Sequence, residues 1–161
     1  MKYQPRQKPR VWADKVYPTP GGREVRSRFE ARVVGDLERR GVAFEYEPRR
    51  LIWYDEGKRG SVCKDCGSEK IAWKRWYLPD LWLPEHGLWI EIKGKFTADD
   101  RKTILGARRE HMIDLRMVFM RDNTLSKAST TRYTDWCRKN HIVAHVGDSV
   151  PEEWLHEPRT A

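Results

Sequence analysis

From Arg23 to Arg40 apolar residues recur at helical spacing. Val25, Phe29, Val33 and Leu37 fall at every fourth position, and Val34 widens the stripe. Gly41 offers a C-terminal stop, so the spacing predicts an amphipathic helix over this stretch, with Glu30 at the edge of its apolar face. The period then changes to two. VAFEYE (42–47) alternates as a strand, and RRLIWYD (49–55) reads as a second after Pro48. A polar, glycine-containing excursion, EGKRGSVCKDCGSEK (56–70), leads back through the strand-like IAWKRWYLPDLWLP to turn signals at Pro84 to Gly87. LWIEIK (88–93) reads as a central strand. Thr97 followed by Asp100 forms a helix-capping arrangement, and that helix is expected to run to about His111. LRMVFM (115–120) is a buried strand, Ser129 to Lys139 a helix, HIVAHV (141–146) a short strand and PEEWL (151–155) a last helical turn. The order αβββαβαβ predicts an α/β fold, a mixed central sheet flanked by helices, as one domain over residues 23–161. Residues 1–22, with Lys2, Arg6, Lys8 and Arg10 among Pro and Gly, read as a flexible basic arm.

Charge narrows the class of partner. Lys and Arg outnumber Asp and Glu by 32 to 24, for a net charge of +8 and a pI near 9.5. This balance favours a polyanion, nucleic acid before membrane, since no basic helix carries a lipid-facing stripe. No segment approaches the roughly 18 apolar residues of a membrane span. The first ten residues, MKYQPRQKPR, resemble no secretory leader, and three cysteines do not make a disulfide framework. A cytoplasmic protein is expected.

The stretch LWIEIKGK (88–95) carries the chemistry. Glu91 and Lys93 lie two apart in an apolar run, so both project from one face of a strand that should be buried. Ten residues separate Pro79-Asp80 from Glu91, and adjacent strands would bring Asp80 and Glu91 within a few ångströms. Two carboxylates about 4 Å apart repel by roughly 4 kcal/mol at an effective dielectric near 20. Such a pair requires raised pKa values or an intervening cation, and an oxygen-rich cluster suits a hard ion such as Mg²⁺. This is the PD-(D/E)xK nuclease pattern, with Glu30 as a third upstream carboxylate.

The sequence also resembles the endonuclease I Holliday-junction resolvases of T-odd podophages. The resemblance runs from about Arg26 to Pro158, through RSRFE (26–30), GVAFEYE (41–47), LPD (78–80), IEIKG (90–94), DDRK (99–102), LRMVF (115–119) and VPEEWLHEP (150–158). It implies a PD-(D/E)xK core in an intertwined, domain-swapped homodimer. Residues 23–47 would be exchanged onto the partner, 48–77 would form a bridge with an insertion, and 78–161 the catalytic body. Glu30, Asp80, Glu91 and the main-chain carbonyl of Ile92 would bind two Mg²⁺ (or Mn²⁺) per site, and Lys93 would orient or help deprotonate the attacking water. Glu30 would join Asp80, Glu91 and Lys93 of the other chain. One ion would acidify a water and the other steady the leaving 3′ oxygen, giving 5′-phosphate ends on four-way and other branched DNA. No small-molecule cofactor is implied. Arg101, Lys102, Arg108, Arg109 and Lys127 are candidates for phosphate contacts.

One segment departs from the family. SVCKDCGSEK is longer than the resemblance allows, and Cys63-x-x-Cys66-Gly67 has the form of a single zinc knuckle. A structural Zn²⁺ wants four ligands, so two Cys63/Cys66 pairs could close one site across a dimer, or His86 could complete a site within one chain; free or redox-active thiols are the other readings. Cys137, beside Trp136, reads as a core thiol. Trp53, Trp73 and Trp76 are candidates for lining the dimer bridge. The alternatives to a resolvase are a restriction- or repair-type duplex nuclease of the same fold, or a non-catalytic, zinc-containing DNA-binding module.

Overall fold

A computed structural model of the chain describes residues 15–56, 62, 66–68 and 72–156. Strands β1 (Tyr17–Pro18) and β2 (Glu24–Val25) form a small antiparallel hairpin, followed by helix α1 (Arg28–Arg39) and strand β3 (Glu45–Tyr46). A longer antiparallel pair comes next, β4 (Leu51–Glu56) with β5 (Ala72–Tyr77), then β6 (Leu81–Leu83) and β7 (Leu88–Lys93). Helix α2 (Ala98–His111) leads to β8 (Leu115–Phe119), α3 (Tyr133–Lys139) to β9 (Ala144–Val146), and α4 (Glu153–His156) is the last element.

Five strands form one mixed sheet in the order β3-β6-β7-β8-β9. The β3, β6 and β7 neighbours are antiparallel, whereas β7, β8 and β9 run parallel. The parallel joints need crossovers, and α2 and α3 supply them. The fold is therefore α/β with a mixed, helix-flanked sheet, as the hydrophobic periodicity predicts. On one face Phe29, Val33, Val34 and Leu37 of α1 pack with Leu81, Leu83, Leu88, Ile90 and Ile92. On the other, Trp89, Leu115, Met117 and Phe119 pack with Ile104 and Ala107 of α2, with Leu51, Trp53 and Tyr77 of the β4–β5 pair, and with Cys137. The Cys137 thiol is fully buried, which pushes its pKa up to about 12 and fits the core role expected of it.

Several boundaries differ from the periodicity. Helix α1 starts at Arg28 because Ser27 caps it, its Oγ accepting from the Glu30 N–H at 3.1 Å. Val25 consequently belongs to β2. Residues 15–22, at the end of the expected basic arm, pack on α1: the Glu38 carboxylate accepts from Thr19 Oγ1 and from the Gly21 N–H, each at 2.8 Å. Close packing reinforces this, since a Cβ on Gly35 would lie 2.8 Å from the Pro20 ring. The arm cations Lys2, Arg6, Lys8 and Arg10 lie outside the described residues. Helix α3 begins at Tyr133, not Ser129, and of VAFEYE only Glu45–Tyr46 joins the ladder.

Helix α2 carries the β4–β5 pair. A side chain on Gly106 would overlap the Trp53 indole, so the helix approaches the strand closely only because that position is bare. Gly106→Ala should gain up to about 1 kcal/mol of helix propensity but lose roughly 1–3 kcal/mol to overpacking. The expected outcome is a less stable protein, measured by urea unfolding.

Candidate active site

Strand β7 has two different faces. Leu88, Ile90 and Ile92 enter the core under α1, and Trp89, Glu91 and Lys93 point toward α2. Glu91 is only 2% exposed. Its Oε1 lies 2.7 Å from the Lys93 ammonium and its Oε2 accepts from the Tyr77 hydroxyl at 2.5 Å. The antiparallel register pairs Leu81 with Ile90, which sets Asp80 one step further on, opposite Glu91. Asp80 Oδ2 accepts from the Ile92 N–H at 2.7 Å, a side chain taking a bond that a strand backbone would otherwise make. Asp100 approaches from α2. It caps that helix with Thr97, accepting from the Thr97 N–H at 2.7 Å and the Thr97 hydroxyl at 2.6 Å, while its other oxygen lies 3.4 Å from Lys93.

Glu30 reaches the same neighbourhood from the first turn of α1. Its carboxylate accepts from the hydroxyls of Tyr46 and Ser27, each at 2.7 Å, and from the Arg26 N–H at 3.2 Å. Tyr46 belongs to β3, which pairs with β6, and the Glu47 N–H donates to the Asp80 carbonyl at 2.8 Å. The N-terminus of α1 is thereby held beside the strand that follows Asp80. Asp80, Glu91 and Lys93 thus come together on adjacent strands, and Glu30 stands near enough for its charge to be felt at Asp80.

The electrostatics reflect crowded negative charge. Burial raises the Asp80 pKa well above the ordinary carboxylate range; Glu91 and Glu30 raise it further, and Lys93 offsets only part. Burial likewise raises Glu91 despite Lys93 and Tyr77. For Lys93 burial alone would lower the pKa, but Glu91, Asp80 and Asp100 prevail and hold the ammonium charged. The Thr97 hydrogen bonds overcome burial at Asp100 and keep it below its usual value. Tyr77, Leu78, Glu91, Lys93, Asp99 and Asp100 are among the residues that border a cleft of about 180 Å³.

Among the described residues no three His, Cys, Asp or Glu side chains form a ready-made metal cluster. The donor set nonetheless fits a hard divalent cation. Glu91 is close enough to Asp80 to disfavour its ionisation, one ammonium does not neutralise both carboxylates, and Ile92, whose N–H already bonds Asp80, follows Glu91 directly on the strand.

The candidate phosphate contacts are spread along α2 and beyond. Lys102 lies 2.6 Å from the buried Asp55, and Arg101 donates to the Phe96 carbonyl at 3.1 Å, both near the cleft. Arg108 is committed to the Asn140 and His141 carbonyls, at 3.0 and 2.9 Å, bracing the end of α3. Arg109 lies beside Glu56 and the Tyr54 carbonyl, and Lys127 is exposed in the loop before α3. Cys63 lies outside the described residues; Cys66 is exposed, its Sγ 3.2 Å from the Ser68 hydroxyl, and His86 sits in the β6–β7 turn. Sequence reasoning missed Tyr77, Tyr46 and Asp100 as parts of the cluster. The signal for Asp100 was present in its capping box, but its second oxygen was free to serve Lys93.

Asp80 and Glu91 hold protons more tightly in the folded chain than the ordinary 3.8 and 4.5. Their ionisation therefore costs stability as pH rises above that range, and the cost vanishes below it. In metal-free protein Asp80→Asn is expected to raise stability near pH 8 by roughly 0.5–2 kcal/mol, with the gain shrinking toward pH 4. Urea midpoints across pH measure it, and a variant no more stable than the parent near pH 8 contradicts this electrostatic account.

Comparison with known proteins identifies relatives over most of the chain. The family model for phage endonuclease I matches residues 68–161. Endonuclease I of Escherichia phage T7 is 33% identical over 148 residues, spanning 89% of this chain and 88% of its own. Endodeoxyribonuclease 1 of Enterobacteria phage T3 is 34% identical over 140 residues, covering 86% of this chain and 81% of its own. With matches of this extent, falling across the strands that present Asp80, Glu91 and Lys93, the chain belongs to the phage endonuclease I family.

Proposed function

We propose that this protein is a phage-type endodeoxyribonuclease that hydrolyses phosphodiester bonds in branched DNA, four-way junctions included, leaving 5′-phosphate ends. The observation that carries the reading is the buried Glu91, paired with Lys93 and set opposite Asp80 at the edge of a cleft. Asp80, Glu91 and the Ile92 carbonyl would hold Mg²⁺ or Mn²⁺, two ions per site, with Glu30 contributing from α1. When bound, the metal offsets charge on the scissile phosphate and acidifies a nearby water. Lys93, kept charged by its carboxylate neighbours, orients that water and meets the negative charge developing on phosphorus.

The protein would act as a homodimer in which residues 23–47 cross to the partner. Pro48, Arg49 and Arg50 between β3 and β4 form a short connection suited to such an exchange, and Trp73 and Trp76 on β5 are both more than half exposed, as an interface would require. Two sites per dimer suit two strand cuts across one junction. Cys63 and Cys66 from both chains could close a structural Zn²⁺ site, for which metal analysis should find about half a zinc per chain. Phosphate contacts from the net charge of +8 would position the branch without reading bases.

A synthetic four-way junction should be nicked by the parent in Mg²⁺ but not in chelator, and in preference to linear duplex of the same sequence. Asp80→Asn, Glu91→Gln and Lys93→Ala should each slow nicking by at least roughly a hundredfold. Cutting by Asp80→Asn at the parental rate refutes the site. Junction affinity in chelator should fall about 10³- to 10⁵-fold between 50 and 200 mM salt if 6 to 10 phosphates are contacted.

A further inference from the structure

Glu91 has two oxygens to satisfy in a nearly dry position. Lys93 serves Oε1, but it reaches from a flexible four-carbon stem and is also drawn to Asp100 at 3.4 Å. It cannot by itself fix the carboxylate plane. The group on Oε2 is of another kind. Tyr77 is the last residue of β5, its backbone paired with Leu51, and its ring is buried in the cluster that includes Trp89, Ile104 and Ala107. A ring with two rotatable bonds, locked by packing, presents its hydroxyl at a fixed point, and that point lies 2.5 Å from Glu91.

We infer that Tyr77 is a positioning residue of the active site, whose hydroxyl holds Glu91 by Oε2 and leaves Oε1 to be shared between Lys93 and an incoming divalent cation. The inference rests on the reading of Glu91 as a metal ligand. It explains how one carboxylate can serve two purposes. When a cation approaches Oε1, Lys93 can yield, because Asp100 and Asp80 also attract its ammonium. The Tyr77 bond, on the other oxygen, is untouched by that exchange and keeps the carboxylate from turning. Carboxylate ligands of metals are commonly held in this way by an outer hydrogen bond, and losing such a bond typically weakens metal affinity or activity by about 10–100-fold.

The test titrates Mn²⁺ into DNA-free protein by isothermal calorimetry. Tyr77→Phe removes one oxygen and keeps the ring that the core packs against. Its Mn²⁺ affinity should be about 10–100-fold weaker than the parent's, while its affinity for a four-way junction in chelator stays within about twofold. Tyr77→4-aminophenylalanine, which keeps both the ring and a donor, should recover most of the lost metal affinity. A phenylalanine variant that binds Mn²⁺ as tightly as the parent overturns the inference, as does a loss of junction affinity that parallels the loss of metal. Failure of the amino variant to recover also overturns it, because a donor restored to the same ring would then not restore the metal site. A parent protein that binds no Mn²⁺ at all overturns the metal-dependent reading itself, a distinct result.

Discussion

The structure is organised around a carboxylate and an ammonium buried on its central strand. Glu91 and Lys93 lie 2.7 Å apart, and Glu91 is almost wholly removed from water. Taking charges out of water costs several kcal/mol each, and breaking such a pair by deleting one partner typically costs about 3–5 kcal/mol. Replacing both with apolar side chains would make a better core. The acidic neighbours relieve that cost at Lys93 but add to it among the carboxylates: Asp80 and Asp100 hold the ammonium charged, while Asp100 opposes the charge on Glu91. Surplus negative charge at the edge of a cleft fits a site that takes up cations, and it is the common cause behind the raised carboxyl groups, the committed lysine and the hydroxyls gathered around them.

The scaffold that holds this arrangement is built from both chemical halves of the sheet. Antiparallel pairing of β6 and β7 brings Asp80 opposite Glu91, while parallel pairing of β7 with β8 puts helix α2 on the same side as Glu91 and Lys93. The Thr97–Asp100 capping box then does two things with one carboxylate, starting the helix and steadying Lys93. Helix α1 covers the opposite face, and only its N-terminal turn, through Glu30 and Tyr46, bends round to the acidic side.

Much of this was legible in the sequence, for identifiable reasons. Period-two alternation in LWIEIK placed Glu91 and Lys93 on one face because strand geometry admits no other reading of that spacing. The short turn after Leu83 fixed Asp80 beside Glu91. Tyr77 was not legible: β5 reads AWKRWY, exposed except at its last residue, so nothing in its own pattern marks that residue as buried or its hydroxyl as aimed inward. The bracing contacts of Arg108 were not legible for a related reason. Helical spacing shows which face a side chain takes, but not that carbonyls 32 and 33 residues away will claim its guanidinium. The packing of residues 15–25 on α1 was hidden too: Glu38 reaches back across the helix to Thr19 and Gly21, a contact that composition conceals beneath prolines and glycines.

The position of Tyr77 at the foot of β5 has a consequence for how this chain can vary. The six-residue ladder of β4 and β5 sets Glu56 and Ala72, at its far end, about 20 Å of paired backbone from Tyr77. Length, cysteine content and charge can change at that distant end without displacing the hydroxyl at the near one. A two-stranded ladder braced along a helix in this way lets a catalytic protein vary at its periphery while its reacting groups keep their places.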